Sequence, residues 1–182
     1  MLPRVDVALL RAINSLHRPW LDAVMRFVTA WGFYAYPVVL VVALAVRRRQ
    51  QAETARDGLL AWFLAGLFSE DILKPIVARP RPTAIDWLRR ALHVLGRVPP
   101  ATSYSFPSGA ATMCFAGATW LWLRWGPRAG IPGLALALTV GFARVYAGVH
   151  YPSDVAFGAA LGVGVALGVA RFARWVRAHP VG

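Results

Sequence analysis

Long apolar runs broken by short charged clusters set the pattern of this chain. Residues 27–46 carry no charge, and as a helix they span about 30 Å, the hydrocarbon thickness of a bilayer. Residues 98–123 are also uncharged, but Pro99, Pro100 and Pro107 make the first ten of them loop. Residues 155–170 are uncharged and hold Gly158-x3-Gly162 and Gly164-x3-Gly168, spacings that let helices approach closely in lipid. Two further runs end in charge: 58–69 continues into Glu70, Asp71 and Lys74, and 129–143 into Arg144. The pattern predicts spans over about 27–46, 58–78, 107–124, 129–147 and 154–173. Upstream, Leu9, Ile13, Leu16 and Trp20 recur at helical spacing opposite Asp6, Arg11, Asn14 and Arg18, which predicts a helix lying in the interface. The fold class is all-α: one domain over 1–182, a polytopic membrane bundle of five transmembrane helices plus that N-terminal interfacial helix.

Composition agrees. Charged residues make up 15% of the chain and apolar ones 58%, with a mean hydropathy of +0.51. An ordinary soluble domain is about a quarter charged. The net charge of +12 does not indicate nucleic acid as a partner. The arginines stand at span ends, with no basic face rich in exposed aromatics, and the surplus suits anionic lipid headgroups. The single cysteine, Cys114, falls inside a span, excludes an intramolecular disulfide and reads as a packing residue. The first twenty residues hold no apolar stretch long enough for a cleavable signal peptide.

The cluster Arg47-Arg48-Arg49, with Arg56, places its loop on the cytoplasmic side. Alternation puts Arg124, Arg128, Arg171, Arg174 and Arg177 on the same side. The 79–106 loop and the turn at His150 then lie outside.

At those outer ends stand ionisable groups that lipid disfavours unless they have a function. Lys74, the only lysine, lies seven residues before Arg81. Phe106-Pro107-Ser108-Gly109-Ala110 leads into an apolar run. Ser108 there is a good N-cap, and the free N–H groups of a helix start equally make an anion site. Arg144 precedes His150 by six residues, and Asp154 follows by four, a histidine with a carboxylate to orient its ring. His17, His93 and His179 have no comparable neighbours and read as surface or interfacial residues. No His/Asp/Glu cluster has metal-ligand spacing. Under the predicted topology the three elements share one membrane face, where their donors could neutralise a phosphoryl group.

K-x6-R-P, then P-S-G-x, then R-x5-H-x3-D resembles the pattern of the type-2 phosphatidic acid phosphatases, related in site to the vanadium haloperoxidases. The resemblance runs from Lys74 to Asp154 in the expected order. It implies a membrane enzyme that needs no metal or other cofactor. It assigns phosphate binding to Lys74, Arg81, Ser108, Gly109 and Arg144, a phosphohistidine to His150, and the partner role to Asp154. The substrate it implies is a lipid phosphate at the outer face of a bacterial inner membrane. For a chain this small the first choice is undecaprenyl diphosphate, with phosphatidylglycerophosphate, phosphatidate and lipid A as the others.

One position departs from the pattern. The second motif of the family ends in histidine, the general acid, and this chain has Ala110. General acid help is worth about 10²–10⁴ in rate, or about 3–5 kcal/mol of barrier. The expectation is a protein that binds substrate and turns over slowly, its catalysis impaired at position 110 by an inactivating replacement. A non-catalytic lipid-phosphate-binding protein would also explain Ala110. A soluble haloperoxidase would not explain the apolar spans.

Overall fold

The computed structural model describes residues 4–45, 49–100 and 102–179, and among these the chain is helical apart from loops. In order, α1 is Arg4–Asn14, α2 Pro19–Trp31, α3 Ala35–Ala45, α4 Arg49–Gly66, α5 Lys74–Val77 and α6 Asp86–Arg90. Then come α7, Gly109–Trp125, α8, Pro127–Tyr146, and α9, Pro152–Ala178. A 3₁₀ turn joins α2 to α3, and a π-helical stretch, Leu67–Leu73, joins α4 to α5. Arg47 and Arg48, on which the orientation rests, lie outside the described residues, as does the side chain of Arg49.

The bundle is built around α7. This helix is apolar on all sides and packs against α3, α4, α8 and α9, as a helix without a polar face must. Trp120 is fully buried in it and donates its indole N–H to the Thr54 carbonyl at 2.9 Å. Tyr36 of α3 lies against Gly117 and donates to the Gly133 carbonyl at 2.7 Å. Cys114 is buried and free. Outward, Phe27, Trp31, Phe63, Ile131, Leu138 and Phe172 are each more than half exposed. A band of large apolar side chains of that kind requires lipid around it.

Three segments are long and apolar enough to cross a membrane by length and composition: Pro19–Val42, Pro127–Tyr146 and Pro152–Ala178. The first begins eight residues before the predicted 27. Its charges, Asp22 and Arg26, face inward instead of ending the span: Asp22 accepts from the Tyr146 hydroxyl at 2.5 Å, and Arg26 lines a cavity. The predicted spans at 58–78 and 107–124 coincide with helix, α4 through α5 and α7, but neither is among the segments that are long and apolar enough by that measure.

The N-terminal helix differs from expectation in length and in facing. It ends at Asn14, so Leu16 and Trp20 are not part of it. Its polar Asp6 and Asn14 are buried against the bundle, while Val5 and Leu9 are exposed. Asn14 donates to the carbonyls of His93 and Tyr146 and accepts from the His93 N–H. The inward face is mixed, with the fully buried Leu10 between Asp6 and Asn14, while Arg4 and Arg11 stay exposed. His93, expected to stand alone, stacks on His17 and lies 3.1 Å from Asp22.

Of the two glycine pairs, one makes the predicted close approach. A Cβ on Gly158 would lie 2.8 Å from the Ser108 carbonyl oxygen, and one on Gly162 would overlap the α7 backbone at Thr112. Gly164 and Gly168 have no such neighbour.

Candidate active site

Where α5 and α8 end and α7 and α9 begin, a cavity of about 580 Å³ opens. Lys74, Arg81, Gly109, Ala110, Arg144 and His150 all line it, as do Glu70 and, from α2, Arg26 and Thr29. Residues as far apart in the sequence as Arg26 and His150 thus meet at one end of the bundle.

The loop after α5 is fixed first. Ser105 donates its backbone N–H to the Arg79 carbonyl at 2.8 Å, and Pro80 pairs with Tyr104, so the two loop segments run side by side. Arg81 is anchored there: its Nε donates to Ser103 Oγ at 2.8 Å and its Nη1 to the Val149 carbonyl at 3.0 Å. The same Nη1 stands 3.0 Å from His150 Nε2.

His150 is 4% exposed. Its Nδ1 lies 2.8 Å from the Ser105 carbonyl oxygen, an acceptor only, so Nδ1 carries the proton and Nε2 keeps its lone pair toward Arg81. Burial, with the charges of Arg81 and Lys74, lowers the imidazole pKa to about 4 against the opposing pull of Asp154. The ring is neutral at ordinary pH, the form that can attack phosphorus.

Asp154 is fully buried and is not the first partner of the ring. Its Oδ2 is 3.5 Å from Nδ1, farther than the Ser105 oxygen. Asp154 instead accepts the Tyr151 N–H on Oδ2 at 2.9 Å and Arg79 Nη1 on Oδ1 at 2.6 Å. Arg79 also donates to Asp6 at 2.6 Å and to Ser153 Oγ at 2.8 Å, and lies over the Tyr151 ring. Asp6 closes the network by accepting the Ser153 N–H at 3.0 Å and its hydroxyl. Arg79 and Asp6 carry no role in the sequence pattern. A second arginine two places before Arg81, in Arg79-Pro80-Arg81-Pro82, was the available signal for one of them; Asp6 gave none.

Ser108 occupies the N-cap position of α7, yet its side chain makes no capping hydrogen bond. Its Oγ is buried without a partner, and so is Arg144 Nε, although Arg144 Nη2 reaches the Thr29 carbonyl. Unpaired buried polar atoms are uncommon and costly; Arg144 Nε and Thr29 Oγ1 belong to residues that line the cavity, and Ser108 directly precedes the lining residue Gly109. The first N–H groups of α7 add a partial positive charge there. Lys74 Nζ contacts both oxygens of Glu70, at 2.5 and 2.7 Å. The predicted residues therefore come together: Lys74, Arg81, Gly109, Arg144 and His150 line the cavity, with Ser108 buried just before Gly109 and Asp154 behind His150. At position 110 a methyl group lines the cavity, with no proton to give.

An all-helical membrane bundle with a neutral, oriented histidine among convergent cations is the architecture of a membrane phosphatase. The chain belongs to the PAP2 superfamily, whose family model matches residues 54–178. It is 29% identical over 155 residues to the undecaprenyl-diphosphatase BcrC of Bacillus subtilis, covering 83% of this chain and 75% of that one. It is 32% identical over 171 residues to the decaprenylphosphoryl-5-phosphoribose phosphatase of Mycobacterium tuberculosis, covering 90% and 88%. The crystal structure of Aquifex aeolicus LpxE superposes with a TM-score of 0.78 at 26% identity, covering 93% of this chain and 96% of that one.

Proposed function

We propose that this chain removes the terminal phosphate of a polyprenyl diphosphate, undecaprenyl diphosphate first, through a phosphohistidine at His150. The observation that supports this best is the neutral Nε2 of His150, 3.0 Å from Arg81, in a cavity lined by Arg144, whose Nε lacks a partner, beside the equally unpaired Ser108 Oγ at the start of α7. In this reading Nε2 attacks the terminal phosphorus while Lys74, Arg81, Arg144, Ser108 and the Gly109 N–H hold its oxygens. The P–O bond breaks, polyprenyl monophosphate departs, and water then hydrolyses the phosphohistidine. Asp154 acts through Tyr151 and Arg79 to hold the loop that carries the ring.

Ala110 bears on the choice of substrate. A phosphomonoester would expel an alkoxide, a strong base that needs a proton as the bond breaks. A diphosphate expels a phosphate monoester, a much weaker base, and tolerates the lack of an acid better. Two of the relatives act, by name, on polyprenyl-linked phosphates. The proposal places the site on the outer face of a bacterial inner membrane, needs no metal, and expects slow turnover from a chain with alanine at 110. Phosphate release in detergent from undecaprenyl diphosphate, phosphatidylglycerophosphate, phosphatidate and lipid A tests it, with the parent and Ala110→His side by side. Undecaprenyl diphosphate should be the best substrate of the parent. No release from any of them by either protein would leave only a lipid-phosphate-binding protein.

A further inference from the structure

We infer that Glu70 is the base that completes turnover in this chain, taking the proton of the water that hydrolyses the phosphohistidine; the inference rests on the reading just given. Glu70 lies in the π-helical stretch 67–73, three residues from its start. Turns of this kind reset the facing of the residues that follow them and recur at functional sites. Here the turn brings the Glu70 carboxylate into the cavity that also holds His150, Arg144 and Ala110. Oε1 lies so close to Gly109 that a Cβ there would overlap it. The carboxylate therefore stands at the start of α7, next to position 110.

The chemistry needs a proton acceptor in that place. During the second half-reaction Nε2 of His150 is bonded to phosphorus and cannot serve. Of the side chains lining the cavity, Arg26, Arg81, Arg97 and Arg144 keep their protons, and Ala110 has none to exchange. Glu70 is the one carboxylate among the described lining residues. Its Oε2 pairs with Lys74 Nζ at 2.5 Å, a contact that fixes where the carboxylate stands. In the step itself the water oxygen forms a bond to phosphorus and its proton passes to Glu70. The P–Nε2 bond breaks with its electron pair returning to the ring, and inorganic phosphate leaves.

The experiment is an alkali-quenched trap of the phosphoenzyme, whose P–N bond survives alkali and hydrolyses in acid, using undecaprenyl diphosphate labelled with ³²P in the terminal phosphate and the full chain in detergent. Glu70→Gln, close in shape, should lower steady-state phosphate release about 10²-fold. The labelled histidine should then accumulate toward one per chain. Adding Ala110→His to that variant should bring release back to near the level of Ala110→His alone, because an imidazole at 110 supplies the missing base. Unchanged release from Glu70→Gln would overturn the inference. So would joint loss of label and release that Ala110→His does not repair, since Glu70 would then only hold Lys74 for phosphate binding. Absence of label from His150 in both the parent and Ala110→His would overturn the phosphohistidine reading itself and the role of Glu70 with it.

Discussion

Arg79 and Asp154 are joined at 2.6 Å, and the other arm of the same guanidinium reaches Asp6 at the same distance. One arginine thus ties the carboxylate behind His150 to the N-terminal helix α1. Asp154 is completely buried and Arg79 nearly so. Removing a partner from a buried pair leaves an uncompensated charge, at a cost of about 3–5 kcal/mol.

Arg79→Ala is expected to lower the thermal midpoint in detergent well below that of the parent. Asp6→Asn, which retains an acceptor oxygen, should cost less. Arg79→Lys should not restore the loss, because an ammonium cannot reproduce a planar fork reaching two carboxylates. Thermal melts of the three variants measure this, and an Arg79→Ala protein as stable as the parent would refute the role of the network.

The pH dependence follows from His150. Its folded pKa, about 4, lies below its ordinary 6.5, so the proton prefers the unfolded chain between those values. The native state therefore loses stability as pH falls through that window and regains none by further acidification. The His150 ring, the nucleophile proposed above, stays neutral down to about pH 4. For this reason kcat/KM should be flat near neutrality and fall only on approaching pH 4, in a profile on lipid diphosphate. An acid limb centred near 6.5 would mean a solvated ring.

Ala110→His should raise hydrolysis of a phosphomonoester such as phosphatidate by about 10²-fold or more, and hydrolysis of a polyprenyl diphosphate by less. Substrate affinity should change little, since the bound ground state needs no proton. His150→Ala in the same background should abolish both activities. Equal rates for the parent and Ala110→His on every lipid tried would show that residue 110 does not face the leaving group.

Turnover is expected to continue in EDTA. The positive charge of the site comes from Lys74, Arg81 and Arg144, and among the described residues no three His, Cys, Asp or Glu side chains are grouped to hold an ion. Loss of all activity in chelator with recovery on Mg²⁺ would contradict this.

The orientation can be read with a thiol. Cys114 is buried and leaves little background, and Trp87 is 58% exposed on the loop side of the cavity. Trp87→Cys in intact cells should label with a membrane-impermeant reagent. Labelling only after permeabilisation would put the reaction in the cytoplasmic leaflet.

What could be read from sequence alone follows from how each residue does its work. Lys74, Arg81, Ser108, Arg144 and His150 act through side-chain chemistry at fixed spacings, and a linear pattern records such spacings directly. Asp6 and Glu70 could not be found that way. Asp6 belonged to an apparent solvent face, and the inward turn of that face depends on an arginine seventy-three residues later. Glu70 looked like a charge interrupting a span, because its meaning depends on a π turn that hydropathy does not reveal. The carbonyl of Ser105, which fixes the tautomer of His150, has no side-chain signature at all.

The packing of α9 on α7 has one more consequence. Ser108 donates its backbone N–H to the Asp154 carbonyl at 3.0 Å, and Gly158 and Gly162 bring the two helices together just beyond that bond. The spacing between the two halves of the site is therefore gauged by two missing methyl groups on a face that touches neither substrate nor solvent. In a library of random variants, alanine at 158 or 162 would be scored as a catalytic lesion despite lying a full helical turn or more from the reacting atoms. A map of sensitivity drawn from such a library would trace a stripe running from His150 down along the seam between α7 and α9.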